Sequence, residues 1–423
     1  MLNAPLQISD AADQQSDWLD AGPESVGTNP FPGLRPFTLD ECHLYFGREG
    51  QVDELLFKIS KNRSVTVLGY SGSGKSSLML CGLVPVLYGG FMTETGPNWQ
   101  VITTRPGVRP LDNLTQAVVS HLSQYEHLTP EDEQIQRAVV GSVLRSSSEG
   151  LLEVARYIQR RTNENVFFMV DQFEEIFRYK YSDGDRSVNE AHAYVNLFLT
   201  ALRQKEVPVY ASFSMRSDFI GESSSFPGLA EMINASNYLI PQMTREQRRM
   251  AIEGPVAVSG GRIAPRLVKR LLSDMGDHQD QLPILQHALM RTWDYWVANH
   301  EPGEPMDIRH YNAIGKVGQA LSLHANEAFE ELSSREKEIA EILFKSITER
   351  NRENKGIRRA IKVSTVAELA EASENDVIKV IDHFRRPGRS FIMPGAHVAI
   401  TGNSTIELSH ESLMRIWVRL TGW

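Results

Sequence analysis

The sequence predicts an α/β domain, a parallel sheet with helices on both faces, followed by an α-helical domain and a winged helix-turn-helix domain. Three observations carry that expectation. Short apolar runs alternate with amphipathic segments through the first half, strand-like runs stop after Met243, and strand candidates return only near the C-terminus. Strand, helix, strand repetition implies parallel strands joined by crossover helices.

Taken in order, residues 1–28 carry Asp10, Asp13, Asp17, Asp20 and Glu24 without Lys or Arg. That composition reads as a flexible acidic tail, the alternative being that Trp18-Leu19 docks onto a partner or the body. Asn29-Pro30-Phe31-Pro32-Gly33-Leu34-Arg35-Pro36-Phe37 is too rich in proline for a helix and must be an ordered extended lead-in or a linker. Ser64–Leu68, Gln100–Thr103, Val166–Val170, Val207–Met215 and Tyr238–Ile240 read as buried strands. Glu49–Ile59, Leu78–Leu87, Leu111–Ser123, Ser148–Arg161 and Ala191–Arg203 read as the helices around them, completing a domain over 29–243. Thr244–Ala257, Ala264–Ser273, Pro283–Ala298 and Gly315–Leu332 are helical in period and make a second domain, 244–332. Ser334–Glu349, Val366–Glu371 and Asn375–Arg386, then strand candidates Ser390–Met393 and Val398–Leu408 and a last helix Glu411–Leu420, make the third, 333–423.

Composition bounds the function. The chain has 423 residues, 41% hydrophobic and 23% charged, with a formal net charge of −9. Its acidic balance argues against nucleic acid as the main ligand. No stretch approaches the roughly 18 apolar residues of a membrane span, and the N-terminus lacks the pattern of a signal peptide, so a cytoplasmic protein is expected. Cys42 and Cys81 are too few for a disulfide framework or a four-thiolate zinc site.

Directly after the first strand comes Gly69-Tyr70-Ser71-Gly72-Ser73-Gly74-Lys75-Ser76, a complete G-x-x-x-x-G-K-S with Ser77 and a helix behind it. The glycines at 69, 72 and 74 let the backbone N–H groups around Ser71 and Ser73 turn inward, and the helix N-terminus adds partial positive charge. Lys75 should reach the β and γ phosphates, and Ser76 should ligate Mg²⁺. The apolar strand Val166–Val170 ends in Asp171, as a Walker B element does when it holds the Mg²⁺. Glu174 and Glu175 follow, and one of them could orient the attacking water; for Glu175 the rival reading is a helix-starting acid. Arg216 ends the Val209–Met215 run, placed to sense a γ phosphate or else sitting in a surface turn. The absence of an N-K-x-D element favours adenine, hence ATP or ADP. No H-E-x-x-H, C-x-x-C or G-x-S-x-G is present.

The order and spacing of these motifs resemble the STAND signal-transduction ATPases, in particular the bacterial branch called novel STAND NTPase 1. The resemblance covers about Asn29 to Trp423. Its markers are the lead-in, Phe46-Gly47-Arg48-Glu49, the P-loop, Arg105-Pro106-Gly107, Val170-Asp171-Gln172-Phe173-Glu174-Glu175, Met215-Arg216-Ser217-Asp218-Phe219, Ala251-Ile252-Glu253-Gly254-Pro255, Leu282-Pro283-Ile284-Leu285 and Ser409-His410-Glu411-Ser412-Leu413. The resemblance implies that Phe46, Gly47 and Arg48 line the adenine pocket. Pro283 resembles the proline of the family's G-x-P motif, which packs on the nucleotide from the helical domain, with Gln281 in place of the glycine. His410 resembles the histidine of the M-H-D motif of apoptosome and plant-resistance ATPases, which touches the ADP β phosphate from the winged helix; a satisfied core histidine is the rival.

The resemblance implies a slow ATPase acting as a signalling switch. ADP would bridge three domains, ATP would release the winged helix, and the open form would assemble with copies of itself or activate partners. Family members join an effector at the N-terminus and a sensor at the C-terminus, so this chain reads as a core fragment or as one served by other chains. Bacterial defence against phage is a setting suggested by family analogy alone. Three other readings stay open. Basic residues from Lys345 to Arg389 suit an ATP-gated winged-helix transcription regulator, the P-loop could serve a non-hydrolysing scaffold, and a small-molecule kinase comes last because no acceptor pocket motif is visible.

Overall fold

A computed structural model describes residues 27–93, 96–179, 184–275, 281–350 and 356–423. The expected flexible tail and the docking of Trp18-Leu19 lie in 1–26, outside the described residues. Five strands, β1 (Ser64–Gly69), β2 (Trp99–Thr104), β3 (Asn165–Val170), β4 (Val209–Arg216) and β5 (Asn237–Leu239), form one parallel sheet in the order β2-β3-β4-β1-β5. Each expected strand of this sheet is present within two residues of its expected ends. Alternation along β3 shows why the sheet is covered twice. Val166, Phe168 and Val170 face helices Pro110–Glu126, Gly150–Thr162 and Gly184–Arg203, while Phe167 and Met169 face helix Gln51–Asn62 and the helix behind the P-loop. The register places Gly69 opposite Arg216, and Thr104 opposite Val170, so the residues that leave β1, β2, β3 and β4 share one rim.

Helices Arg245–Val258, Pro265–Asp274, Gln281–Asn299 and Ile308–Ala313 enclose a separate core around Trp293, Trp296 and Tyr311. Helix Lys316–Glu330 serves two cores: Ala320 packs there, whereas Leu321, Ala325, Ala328 and Phe329 pack with the C-terminal body. That body contains helices Ser334–Ser346, Val363–Leu369 and Glu374–Arg385. It also has a two-stranded pair, β6 (Thr348–Arg350) with β7 (Gly356–Arg358), and an antiparallel sheet in the order β8-β10-β9, from β8 (Ile361–Lys362), β9 (Ile392–Met393) and β10 (Thr405–Leu408). Among the described residues no helix is long and apolar enough to cross a membrane.

The lead-in is an ordered strap. Asn29 Nδ2 donates to Met290 O (2.9 Å) and Asp294 Oδ1 (2.7 Å), and Phe31 stands edge-on to Trp293 at 6.5 Å. Leu34 enters the C-terminal core, and Phe37 packs with Leu44 and Cys81 beside the P-loop helix. A nine-residue proline-rich stretch therefore touches three packing centres.

Several elements depart from expectation for local reasons. The helix expected at Leu78 starts at Lys75 and widens into a π turn over Leu78–Leu83, just before Pro85, which has no N–H for the carbonyl four residues back. The strand expected over Val398–Leu408 is only Thr405–Leu408, because a turn precedes it in which Thr401 N–H donates to Ser404 Oγ at 2.9 Å. The last helix is broken at Trp417, whose buried indole Nε1 donates to Asn326 Oδ1 at 2.8 Å while its backbone is extended. Helix Pro130–Ser146 was not expected; it buries only Val140, Gly141 and Leu144, too thin an apolar stripe to stand out in the sequence.

Candidate nucleotide-binding site

The P-loop leaves β1 between β4 and β5 and curls through positive φ at Gly72 (73°) and Gly74 (89°), the left-handed region that a side chain would strain. Crowding adds to this at Gly69, where a Cβ would lie 2.4 Å from Ile240 Cγ2 and 2.6 Å from Ser73 Oγ. Lys75 Nζ donates to the carbonyls of Gly69 (3.0 Å) and Tyr70 (2.8 Å), so the lysine arches over its own loop. Burial lowers its pKa, against the charges of Glu174 and Asp171.

Asp171 lies at the end of β3, 3% exposed, and gathers three donors. Ser76 Oγ donates to Oδ1 at 2.7 Å, Ser214 Oγ to the same oxygen at 2.5 Å, and Arg105 Nη2 to Oδ2 at 2.9 Å. Burial alone would raise its pKa. The Arg105 charge and the two hydroxyl donors outweigh burial and hold the carboxyl below its ordinary value. A hydroxyl and a carboxylate joined directly are the hard-oxygen pair that Mg²⁺ takes from protein, so Ser76 and Asp171 fit that ion.

The two glutamates part company. Glu174 lines the cleft, accepts the Arg216 N–H on Oε2 at 3.2 Å, and has its pKa raised by burial against the pull of Lys75. Glu175 begins helix Glu175–Tyr179, accepts the Gly107 N–H at 2.8 Å, and is absent from the cleft wall. Burial, then the charge of Glu407, push its pKa up to about 7. Between its ordinary pH range near 4.5 and 7 the folded state therefore keeps a proton that the unfolded chain releases, so stability falls as pH rises through this window. Relative to the parent, Glu175→Gln should be about equally stable at pH 4.5 and more stable by on the order of 3 kcal/mol at pH 8. Urea unfolding at both pH values reads this; parallel pH profiles would remove the assignment.

Arg216 is committed to neighbours. Its guanidinium pairs with Asp218 (2.7 Å) and with Glu411 of the C-terminal body. Phe46 packs on Gly254, where a Cβ would come within 2.6 Å of the ring. Gly47, at φ 88°, passes so close to helix Arg245–Val258 that a Cβ would lie 2.3 Å from Gln247 O. Arg48 is 4% exposed and donates to Pro241 O (2.7 Å) and Ser73 O (2.9 Å), bracing the P-loop from behind.

Pro283 and His410 meet the P-loop at one point. A Cβ on Gly72 would lie 3.1 Å from the Pro283 ring and 3.2 Å from His410 Nε2. Gln281 starts helix Gln281–Asn299, so Pro283 occupies its first turn, where a missing N–H costs nothing. His410 Nδ1 accepts the Ser412 N–H at 3.1 Å, which places the proton of the neutral ring on Nε2. Nε2 is buried without a partner among the described residues, and burial, then Arg358, bring the ring's pKa down to about 3. The cleft is thus closed by the P-loop, the strap, Phe46, Arg48, Ser71 to Ser77 in part, Glu174, Arg216, Pro283 and His410.

A family model described as Novel STAND NTPase 1 matches residues 30–423. The chain belongs to that family. Novel STAND NTPase 1 proteins are P-loop NTPases, which agrees with the G-x-x-x-x-G-K-S loop. Among solved structures, this novel STAND NTPase 1 chain is similar to the Aeropyrum pernix Orc1 protein in complex with DNA, with 12% identity, TM-score 0.45, and coverage of 89% of this chain and 94% of that one. It is also similar to a Walker-type ATPase of Pyrococcus abyssi, with 13% identity, TM-score 0.44, and coverage of 90% and 98%. No curated protein matches it significantly.

The novel STAND NTPase 1 site includes residues not assigned from sequence. Arg105 and Ser214 complete the shell of Asp171, and Glu411 holds Arg216. Arg105 had a readable signal, since it follows β2 as Arg216 ends β4. Ser214 had none, because a serine inside an apolar strand reveals nothing until β4 is seen beside β3.

Proposed function

We propose that this novel STAND NTPase 1 chain is an ATP/ADP-operated signalling switch that hydrolyses ATP slowly and controls assembly with copies of itself or with effector and sensor proteins. The observation that carries this reading is the convergence of Pro283 and His410 on Gly72, which makes the phosphate loop the meeting point of three packing centres. ADP phosphates fit the cradle from Ser71 to Ser77 with Lys75 over them, and the Nε2–H of His410 supplies a donor from the C-terminal body. Adenine lies toward Phe46 and Arg48. Ser76 and Asp171 would hold Mg²⁺, which offsets the charge of the phosphates.

In hydrolysis, Glu174 orients a water for in-line attack at the γ phosphorus and accepts its proton as the bond to the β-phosphate oxygen breaks; its raised pKa suits a proton acceptor. Glu175 supports this site through Gly107. Arg216 couples chemistry to shape. A γ phosphate competes with Glu411 for its guanidinium, and losing that pair frees the C-terminal body, which we read as a winged helix acting as a lid. Moving such an equilibrium from 1:99 to 99:1 takes about 5.5 kcal/mol. The Arg216–Glu411 pair, the Arg178 bond to Arg358 O (2.6 Å) and the His410 contact are enough in number, at about 1.5–3 kcal/mol for each charged hydrogen bond.

A cytoplasmic role in bacterial defence is the setting that family analogy suggests. Small-angle scattering and sedimentation of the empty, ADP-loaded and ATP-loaded chain test the switch. A more extended or assembled ATP form is expected, and one shape and mass in all three conditions would refute it.

A further inference from the structure

Several basic residues of the C-terminal region are already paired within the fold. Arg385 donates to the carbonyls of Pro394 (3.2 Å), Gly395 (2.9 Å) and Val398 (2.7 Å), and Arg386 and Arg389 both pair with Glu331. Lys345 pairs with Glu341 along its own helix. Arg358 has a different environment. It ends β7, is 8% exposed, and lines the same cleft as Lys75 and His410.

Its partners hold it without exhausting it. Nη1 donates to Leu408 O at 3.2 Å and weakly to Ser409 O at 3.5 Å, and Glu407 Oε1 lies 3.8 Å away, too far for a good hydrogen bond. Its Nε is buried with no partner among the described residues. On the same wall Ser409 Oγ and His410 Nε2 are also buried and without a partner among the described residues. Leaving a buried charged donor unmet costs more than an average hydrogen bond returns, so such a group points to a ligand that meets it. The P-loop residues Ser71, Gly72, Gly74, Lys75 and Ser76 line the same cleft. A guanidinium presents a planar fork that matches phosphate oxygens two at a time.

We propose that Arg358 is a nucleotide-binding residue, contacting the β phosphate of ADP from the C-terminal body in the closed form. This rests on the reading of the cleft as an adenine-nucleotide site and adds to it a cation that the phosphate-loop motif does not include. Glu407 braces the guanidinium from behind, and Ser409 and His410 offer polar atoms beside it. The carbonyl of Arg358 itself accepts from Arg178 Nη2 at 2.6 Å, so a phosphate that engages its side chain also tightens the C-terminal body onto the sheet domain.

The test uses the full chain and titrates AMP, ADP and a non-hydrolysable ATP analogue against the parent, Arg358→Ala and Arg358→Lys. Arg358→Ala should weaken ADP by about 10- to 100-fold, weaken the ATP analogue less, and leave AMP within about two-fold. Arg358→Lys, which keeps the charge and loses the fork, should fall between, and carries the same test if the alanine variant does not fold. Wild-type affinity for ADP in these variants overturns the inference alone, as does an equal loss for AMP, the mark of a merely structural role. A parent chain that binds none of the three nucleotides overturns the nucleotide reading and this inference with it.

Discussion

Lys75→Ala is expected to lose measurable retention of ADP and ATP while keeping its fold. In the parent, Lys75 Nζ holds two loop carbonyls at 3.0 and 2.8 Å in a site where the charges of Glu174 and Asp171 oppose its own. A phosphate chain that takes over those donors gains charge-assisted bonds worth about 1.5–3 kcal/mol each, so removing both lowers affinity by about 10²- to 10⁴-fold. Deleting the ammonium also leaves Glu174 and Asp171 less compensated, which works in the same direction by repelling an anion. Isothermal titration with ADP measures the loss, and circular dichroism checks the fold. Nucleotide carried through purification at the parent's level in this variant would defeat the assignment of the cleft. Ser76→Ala separates the terms, because it should weaken binding only when Mg²⁺ is present.

His410→Ala should shift the chain toward the extended, assembling form in the presence of ADP. The Ser412 N–H occupies Nδ1, so the single donor of the neutral ring is Nε2, and Nε2 stands 3.2 Å from where a Cβ on Gly72 would be. With the ring's pKa near 3, the contact is a neutral hydrogen bond plus packing. Its loss is worth on the order of 1–2 kcal/mol, a change of about 5- to 30-fold in the closed-to-open ratio. Sedimentation in saturating ADP reads the ratio, with His410→Gln as a partner variant that keeps a donor. A closed fraction unchanged in His410→Ala would leave the histidine as a core residue and nothing more. Arg216→Ala and Glu411→Ala should each open the chain further, since both remove the same ion pair.

The sheet was legible because a buried parallel strand is a continuous apolar run, and each such run here is bounded by turn residues or a helical period. The P-loop was legible because its chemistry demands glycine at fixed spacing before a helix. The C-terminal body was less so: β6, β7 and β8 are two or three residues long, below the length at which alternation says anything. Helix Lys316–Glu330 reads as a single apolar period, and nothing in the sequence tells which of its residues face which of the two cores it serves.

The basic stretch from Lys345 to Arg389 illustrates the same limit at the level of charge. In sequence it resembles a surface for an acidic polymer. In the fold Arg385, Arg386 and Arg389 tie loops and helices together, and Arg358 faces the cleft. Side-chain direction decides between those outcomes, and direction is a property of the packed chain.

From sequence alone come the parallel sheet, the phosphate loop, Asp171 as the acid at a strand end, and the family. All of these depend on local spacing, which the chain carries whether or not it is folded. The tertiary structure alone decided that Glu174 and not Glu175 faces the cleft, that Arg216 is held by Glu411, and that Pro283 and His410 converge on Gly72. Those contacts join residues more than a hundred positions apart, and the distance between them is set by how three cores pack, which no local pattern encodes.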